Sequence, residues 1–230
     1  MVGRIKYVRG RGRLCSEIEY LYGLTLLSVT LCEPDGLRPR KLERRLEKAE
    51  RIFRTAEVAR VILPSGFPHA DGLKQVQPVE TLTFYRCMAD LLALDLLARR
   101  GIDPRSAKVA LAGPRLCPEL CDAAKRLCRT VREVRIDVPG EDGELFSQLL
   151  QREFGLPVLP RTAAADVTVS FGPAVPAADL DLWGKEPGLN GVRLRAKGLE
   201  LPPEIEQPVL ALLWERGSLR RDGVDVVNVL

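Results

Sequence analysis

The stretch KVALAGPRLCPELCDAAKRLC, residues 108–128, has the residue types of a nucleotide-binding turn. Its apolar start predicts a strand, Gly113 predicts a turn, and the periodic residues that follow predict a helix. Backbone N–H groups at such a helix start bind phosphate, and Arg115 could hold an anion through two parallel hydrogen bonds. Asp137 ends the next predicted strand, where an acid can bind a ribose hydroxyl. These are the features that favour a dinucleotide site.

The same turn also carries residues that disfavour phosphate binding. Pro114 and Pro118 have no N–H, so two potential phosphate donors are missing. Glu119 falls in the first helical turn, where it stabilises the helix dipole by about 0.3–1 kcal/mol and repels a pyrophosphate. A dinucleotide fingerprint also needs later glycines, which PRLCP replaces. We therefore predict a strand–turn–helix used for packing, without a cofactor; binding of NAD or NADP by a diverged turn is the alternative.

The loop PSGFPHADG, residues 64–72, is the second candidate site. Ser65, His69 and Asp71 are the residue types of a hydrolytic triad, but triad members normally come from separate elements, and no G-x-S-x-G motif is present. The loop follows the apolar run VARVIL, a predicted strand, and ligands of open α/β sheets bind beyond the carboxyl ends of strands. His69 could therefore exchange a proton or hydrogen bond with a ligand; a solvated histidine in a surface turn is the alternative.

These two candidate sites coincide if VARVIL joins the sheet of the C-terminal half. His69 would then lie at the edge where the C-terminal strands end. The ligand-binding candidates at that edge, with the loop residues, are Gly113, Arg115, Asp137, Ser170, Gly172, Ser65 and His69.

The first residues, GRIKYVRGRGRL, form the third candidate site. Binding of nucleic acid needs clustered positive charge, here Arg4, Lys6, Arg9, Arg11 and Arg13. Stacking on single strands also needs aromatic residues, and Tyr7 alone lies among these charges. An edge strand that its charge protects from aggregation explains the same residues, so we predict that nucleic acid is not the partner.

Six cysteines are present, and we predict free thiols. Three of them share one helical face, at positions 117, 121 and 128. We predict small core side chains and no metal site, because there is no CxxC pair and the one histidine lies far off in sequence.

The charged N-terminal residues lack a secretory signal, and no apolar run reaches about 18 residues, so we expect a cytoplasmic protein without a membrane span.

Charge and periodicity divide the chain into two predicted domains. Residues 1–105 carry 19 basic and 13 acidic groups, whereas residues 106–230 carry 16 and 18. The first part reads as strand, helix and strand over residues 24–63, followed by a long helix over 78–100. From residue 106, strands and helices alternate with short connections, which predicts a parallel sheet covered by helices. We predict an α/β fold with a smaller basic α/β domain at 1–105 and a second domain at 106–230.

Residues 106–172 resemble the nucleotide-binding domain of the shikimate dehydrogenase and glutamyl-tRNA reductase families. The resemblance lies in KVALAG, the helix, the acid-ended second strand, REFGLPV and ADVTVSFGP, about a third of the chain. It implies a Rossmann-like fold for the second domain. The N-terminal substrate motif of shikimate dehydrogenases, with its catalytic lysine, is not found, so the resemblance does not imply that activity.

Together these features favour a binding protein over an enzyme. We predict a Rossmann-like protein with a degenerate phosphate-binding turn, whose partner is a small molecule or another protein. An NAD(P)-dependent oxidoreductase is the first alternative, and nucleic-acid binding through the basic N-terminal strand is the second.

Overall fold

The structure, a computed structural model, describes residues 1–155, 164–173, 178–184 and 186–228. It contains two compact α/β units, so the predicted fold class is confirmed. Unit 1 comprises Met1–Glu80 and Gly198–Leu219, and unit 2 comprises Thr81–Lys197 and Arg220–Leu230.

This division differs from the one predicted at residue 105. Residues 81–105 belong to unit 2, and residues 198–219 return to unit 1. The predicted boundary rests on net charge and on the alternation of strands and helices. Neither property shows which unit a segment far along the chain packs against. The return of residues 198–219 to unit 1 could therefore not be predicted from the sequence.

Unit 1 is built on a five-stranded sheet with the order β2-β3-β1-β4-β5. Four of its strands are parallel, and only β2 runs antiparallel to its neighbour β3. The strands are β1 Val2–Arg9, β2 Cys15–Leu21, β3 Leu24–Glu33, β4 Arg60–Ile62 and β5 Gln77–Pro78. Helix α1, Pro39–Thr55, connects β3 to β4, as the predicted strand–helix–strand over 24–63 requires.

The core of unit 1 lies between one face of this sheet and α1. Leu46, Ala49 and Phe53 recur at helical spacing on α1 and are buried, whereas most of the remaining helix surface is charged. Phe53 packs so closely on β1 that a Cβ at Gly3 would lie 2.8 Å from its ring. Burial of such a side chain contributes about 1.5–3 kcal/mol, which fixes α1 against the sheet.

The basic strand β1 lies inside the sheet, with β3 and β4 on its two sides. The expectation of a charged edge strand is therefore wrong. Alternating arginines identify the polar face of a strand. Whether the strand lies at the edge or in the centre of its sheet depends on which strands its backbone pairs with, and the pattern of side-chain charges does not show this.

Unit 2 contains a parallel sheet with the order β7-β6-β8-β9 and a separate antiparallel pair, β10-β11. The strands are β6 Lys108–Ala112, β7 Glu133–Asp137, β8 Val167–Ser170, β9 Leu180–Asp181, β10 Val192–Ala196 and β11 Val224–Asn228. Helices α4, Pro118–Leu127, and α5, Glu141–Phe154, follow β6 and β7 as predicted, and Gly155 ends α5 with a φ of 65°. The strand predicted at LPVLP lies outside the described residues. Helix α6, Glu206–Glu215, belongs to unit 1.

The long helix predicted over 78–100 is wrong in its bounds. Pro78 belongs to β5, and the helical segment is divided into α2, Leu82–Cys87, and α3, Ala89–Arg99. Arg126 and Arg221 donate to the carbonyl of Cys87 at 3.3 and 3.2 Å, so charged side chains satisfy a backbone group at the break.

The two acidic residues of α3, Asp90 and Asp95, have different partners. The Asp95–Arg99 pair is present at 3.1 Å. Asp90 is buried and binds Arg221 rather than Arg86, the arginine four positions before it. No helix in the described part of the chain has the length and apolar character to cross a membrane.

Candidate functional site

Three side chains from distant parts of the chain meet at the carboxyl ends of β1 and β3. Glu33 is the last residue of β3, Tyr7 lies near the end of β1, and His69 lies in the loop after β4. The Glu33 Oε2 atom accepts hydrogen bonds from the Tyr7 hydroxyl at 2.5 Å and from His69 Nε2 at 2.7 Å. Parallel strands bring these ends to one edge of the sheet. We call this group, Tyr7, Glu33 and His69, the Glu33 cluster.

The Glu33 cluster opens onto a polar cavity of about 340 Å³. Arg9 and Asp35 also line it, so charges of both signs face the space. Arg9 is placed there by register, because it is paired with Glu33 across β1 and β3. Phe67 supports the cluster from the side, with its ring 5.5 Å from the ring of Tyr7 and 5.7 Å from that of His69, both edge to face.

Hydrogen bonding within the cluster shifts two acidities in opposite directions. The Tyr7 hydroxyl, and then His69, lower the pKa of Glu33, because both stabilise its ionised form. The bond to Glu33, and then burial, raise the pKa of Tyr7, with Arg9 acting in the opposite direction. At neutral pH the cluster therefore holds an ionised Glu33 beside a protonated Tyr7.

The ionised carboxylate also fixes the proton on the histidine ring. A carboxylate accepts hydrogen bonds but cannot donate them, so the hydrogen between the two groups is carried by His69 Nε2. In the neutral ring the lone pair then lies on Nδ1, which makes no hydrogen bond to any residue of the described ranges. A ligand in the cavity can therefore use this nitrogen as an acceptor or as a base.

Two anchors hold the loop that carries His69. Glu50 of α1 is buried, and its Oε1 atom accepts the backbone N–H groups of Lys74 and Gln75 at 2.5 and 2.6 Å. At the other end of the loop, the N–H of Ser65 donates to the carbonyl of Glu204 at 2.9 Å.

Ser65, His69 and Asp71, the residue types of a hydrolytic triad in the sequence, do not form a triad in the structure. The Ser65 hydroxyl donates to the Glu204 carbonyl at 3.3 Å, which gives Ser65 a structural role. The acid that meets His69 is Glu33, not Asp71, which lies exposed in a short turn. Glu33 had no sequence signal because it lies 36 positions before His69 and reaches it only through the sheet.

The expectation that His69 shares an edge with the C-terminal candidates is wrong. The strand within VARVIL is β4, which pairs with β1 and β5 in the sheet of unit 1. The strands that end near Gly113, Asp137 and Ser170 form the separate sheet of unit 2. The apolar run predicted a buried strand correctly, but it carried no information about which sheet that strand joins.

Four of the unit 2 candidates do meet at one edge. The N–H of Gly113 donates to the Asp137 carbonyl at 3.1 Å, and the Ser170 hydroxyl donates to the Gly172 carbonyl at 2.7 Å. A Cβ at Gly172 would collide with the ring of Pro114, so this ring fills the space beside the turn. Arg115, the fifth candidate, is exposed.

The start of α4 has the features that the sequence predicted. Pro118 is its first residue, and Glu119 lies in its first turn. In addition, no side chain caps its N-terminus within the described structure. Burial raises the pKa of Cys117 and of Cys121, and it raises the pKa of Cys128 to about 11. These thiols are therefore protonated at neutral pH. In the described residues, no group of three or more His, Cys, Asp or Glu side chains could hold a metal.

Sequence reasoning also missed the role of Arg86 in unit 2. Its Nε and Nη2 atoms donate to the carbonyls of Leu182 and Phe171 at 2.9 and 3.1 Å. Its guanidinium also lies 5.6 Å from the centre of the Trp183 ring. Arg86 therefore satisfies backbone groups beyond the ends of β8 and β9.

The basic N-terminal candidates do not form one positive face. Arg4 pairs with Glu19 at 3.1 Å, and Lys6 pairs with Glu17 at 2.7 Å and also with Glu19. Arg11 and Arg13 lie beyond the end of β1, and they are exposed, as is Arg9. Acidic residues of β2 thus neutralise part of the positive charge, which weakens the electrostatic basis for binding nucleic acid.

Comparisons with known proteins match several solved structures but no family. No family model matches the sequence, and no curated protein matches it. The structure of a shikimate 5-dehydrogenase-like protein is similar over 74% of this chain, with 11% identity and a TM-score of 0.27. The chain spans 65% of the length of that protein. A likeness at this level carries no assignment of activity.

Proposed function

We propose that this protein binds a small polar molecule in the cavity beside the Glu33 cluster and does so without a dinucleotide cofactor. The observation that carries the proposal is the shared carboxylate of Glu33, bonded to Tyr7 and His69 where two parallel strands end. Ligands of open α/β sheets bind at this position, and a cavity of about 340 Å³ suits a small molecule.

The lining of the cavity indicates the chemistry of the ligand. Nδ1 of His69 accepts a hydrogen bond from the ligand, or takes a proton from it. Arg9 can hold an anionic group through paired hydrogen bonds, and Asp35 can accept from a hydroxyl or an amine. A ligand with one anionic group and at least two hydrogen-bond donors satisfies all three.

Features of unit 2 support the absence of ordinary dinucleotide chemistry. The Pro114 ring lies against Gly172, where a pyrophosphate would need open space next to backbone N–H groups. Pro118 and Glu119 remove a donor and add a negative charge at the start of α4. An NAD(P)-dependent oxidoreductase and a nucleic-acid-binding protein are the alternatives, and they predict different ligands.

Thermal unfolding with added ligands tests the proposal, because a ligand that binds the folded state raises the melting temperature. The panel contains carboxylic acids, amino acids, sugar phosphates, NAD, NADP and a pool of short RNAs. We expect a small polar compound to stabilise the wild type and the Glu17→Gln control, but not His69→Gln. Stabilisation by NAD(P) or RNA alone, or equal stabilisation of His69→Gln, would overturn the proposal.

A further inference from the structure

Strand β2 forms one edge of the unit 1 sheet over seven residues, Cys15–Leu21. It is joined to β3 by the two-residue turn Tyr22–Gly23, whose φ values of 47° and 79° are typical of a type I′ hairpin. In such a hairpin the residues that flank the turn, Leu21 and Leu24, exchange hydrogen bonds. This pair sets which backbone groups of β2 point towards β3.

The remaining backbone groups of β2 point away from the sheet. Hydrogen-bonded pairs alternate along antiparallel strands, so Glu19 and Glu17 bond to β3, whereas the N–H and C=O groups of Ser16, Ile18 and Tyr20 face outwards. Among the strands that the structure describes, none pairs with this side of β2. The outward groups form a row that another strand can join.

Two apolar side chains accompany this row. Ile18 is 59% exposed and Tyr20 is 81% exposed. Their register partners on β3 are Leu27 and Thr25. Leu27 belongs to the core between the sheet and α1, so Ile18 and Tyr20 lie on the same face of the sheet as α1. A neighbouring strand would cover part of both side chains.

The other edge of the same sheet is protected. Strand β5 has two residues, and one of them is Pro78, which cannot donate a ladder hydrogen bond. On β2, charged residues could discourage pairing, but Glu19 is held by Arg4 and Lys6, and Glu17 is held by Lys6. The charges of β2 are therefore neutralised within the chain.

We propose that β2 pairs antiparallel with β2 of a second copy of this chain about a twofold axis, joining the two sheets. An antiparallel strand is self-complementary, because each outward N–H meets a C=O of the same row in the reverse direction. One register places Ile18 of each copy opposite Tyr20 of the other. The dimer then contains two pairs of a β-branched and an aromatic residue, and such pairs are favourable. Glu19 then meets its own copy, and its bonds to Arg4 and Lys6 reduce the repulsion.

The contact is small, so the dimer is weak. Two edge strands of seven residues with four apolar side chains bury at most about 1,200 Å², the range of transient interfaces. We expect a monomer of 25.5 kDa at about 20 µM and a clear rise in average mass by about 1 mM.

Sedimentation equilibrium over this concentration range tests the proposal. Ile18→Lys is expected to remain monomeric, whereas Leu145→Lys, which changes a 54% exposed leucine of α5, is expected to associate like the wild type. Hydrogen exchange on the wild type needs no variant: the amides of Ile18 and Tyr20 should exchange more slowly at high concentration, and those of Glu17 and Glu19 should not change. A wild type that is monomeric at about 1 mM, or Ile18→Lys that dimerises equally, would refute it.

Discussion

Replacement of Glu33 by glutamine tests the charge at the centre of the candidate site. Both Tyr7 and His69 donate to the same atom, Oε2. A glutamine amide oxygen at that position can still accept both hydrogen bonds, so the substitution keeps the shape and removes the charge. The effect on stability therefore measures what the carboxylate adds to the two bonds.

The expected size follows from the two bonds. A hydrogen bond to a charged group contributes about 1.5–3 kcal/mol and a neutral one about 0.5–1.5 kcal/mol, a difference of about 1 kcal/mol for each bond. Two bonds give about 2 kcal/mol. Because 23% of the Glu33 side chain is exposed, solvent reduces the loss to about 1–2 kcal/mol at neutral pH.

The loss should depend on pH with a defined sign. The pKa of Glu33 is lowered in the folded protein, so its contribution is complete above the unfolded pKa near 4.5 and disappears as the pH falls through the folded value. Wild type and Glu33→Gln should therefore differ at neutral pH and converge in acid.

Urea unfolding of unit 1 provides the measurement. The chain has two tryptophans, and Trp214 lies in α6 of unit 1, so a Trp183→Phe background makes its fluorescence report on that unit. The control is Glu17→Gln, because Glu17 is 59% exposed and its ion pair with Lys6 contributes less than about 1 kcal/mol. Equal stability of wild type and Glu33→Gln at neutral pH, or a difference that persists unchanged in acid, would refute the reasoning.

Three further substitutions test other parts of the structure. Glu50→Ala leaves two backbone N–H groups without their acceptor, so we expect a loss of about 2–4 kcal/mol in urea unfolding and broader NMR signals from the loop that carries His69. Gly172→Ala forces a Cβ into Pro114 and should destabilise unit 2 by about 1–3 kcal/mol, whereas Gly113→Ala, with no atom nearer than 3.4 Å to its Cβ, should cost less. Asp90→Ala removes the carboxylate that binds Arg221 and Arg126, which are 24% and 35% exposed, and should cost about 1–3 kcal/mol in urea unfolding of unit 2, followed by the fluorescence of Trp183 in a Trp214→Phe background.

Local patterns predicted most of the elements. The alternation of apolar runs and turns predicted the order of strands and helices from residue 106. The described residues confirm this order for β6, α4, β7, α5 and β8. The helix over 78–100 failed because its apolar periodicity continues through Met88, while the break is stabilised by Arg126 and Arg221 from far along the chain. No local pattern contains that information.

The candidate site was predicted in part. His69 was identified because its loop follows an apolar strand, and the structure places it beside a cavity. Its partners Glu33 and Tyr7 were missed as a group, since parallel register across β1 and β3 brings them together. Sequence position gives no register, and the separation of β4 from the unit 2 sheet had no sequence signal either.

The tautomer of His69 tests the central claim most directly. His69 is the only histidine in the chain, so the nitrogen-15 NMR spectrum of the labelled ring reports on this residue alone. We expect that at about pH 8 the neutral wild-type ring carries its hydrogen on Nε2, and that Glu33→Leu, which removes the acceptor, carries a larger share of it on Nδ1. A wild-type ring with its hydrogen on Nδ1, or the same tautomer mixture in both proteins, would contradict it.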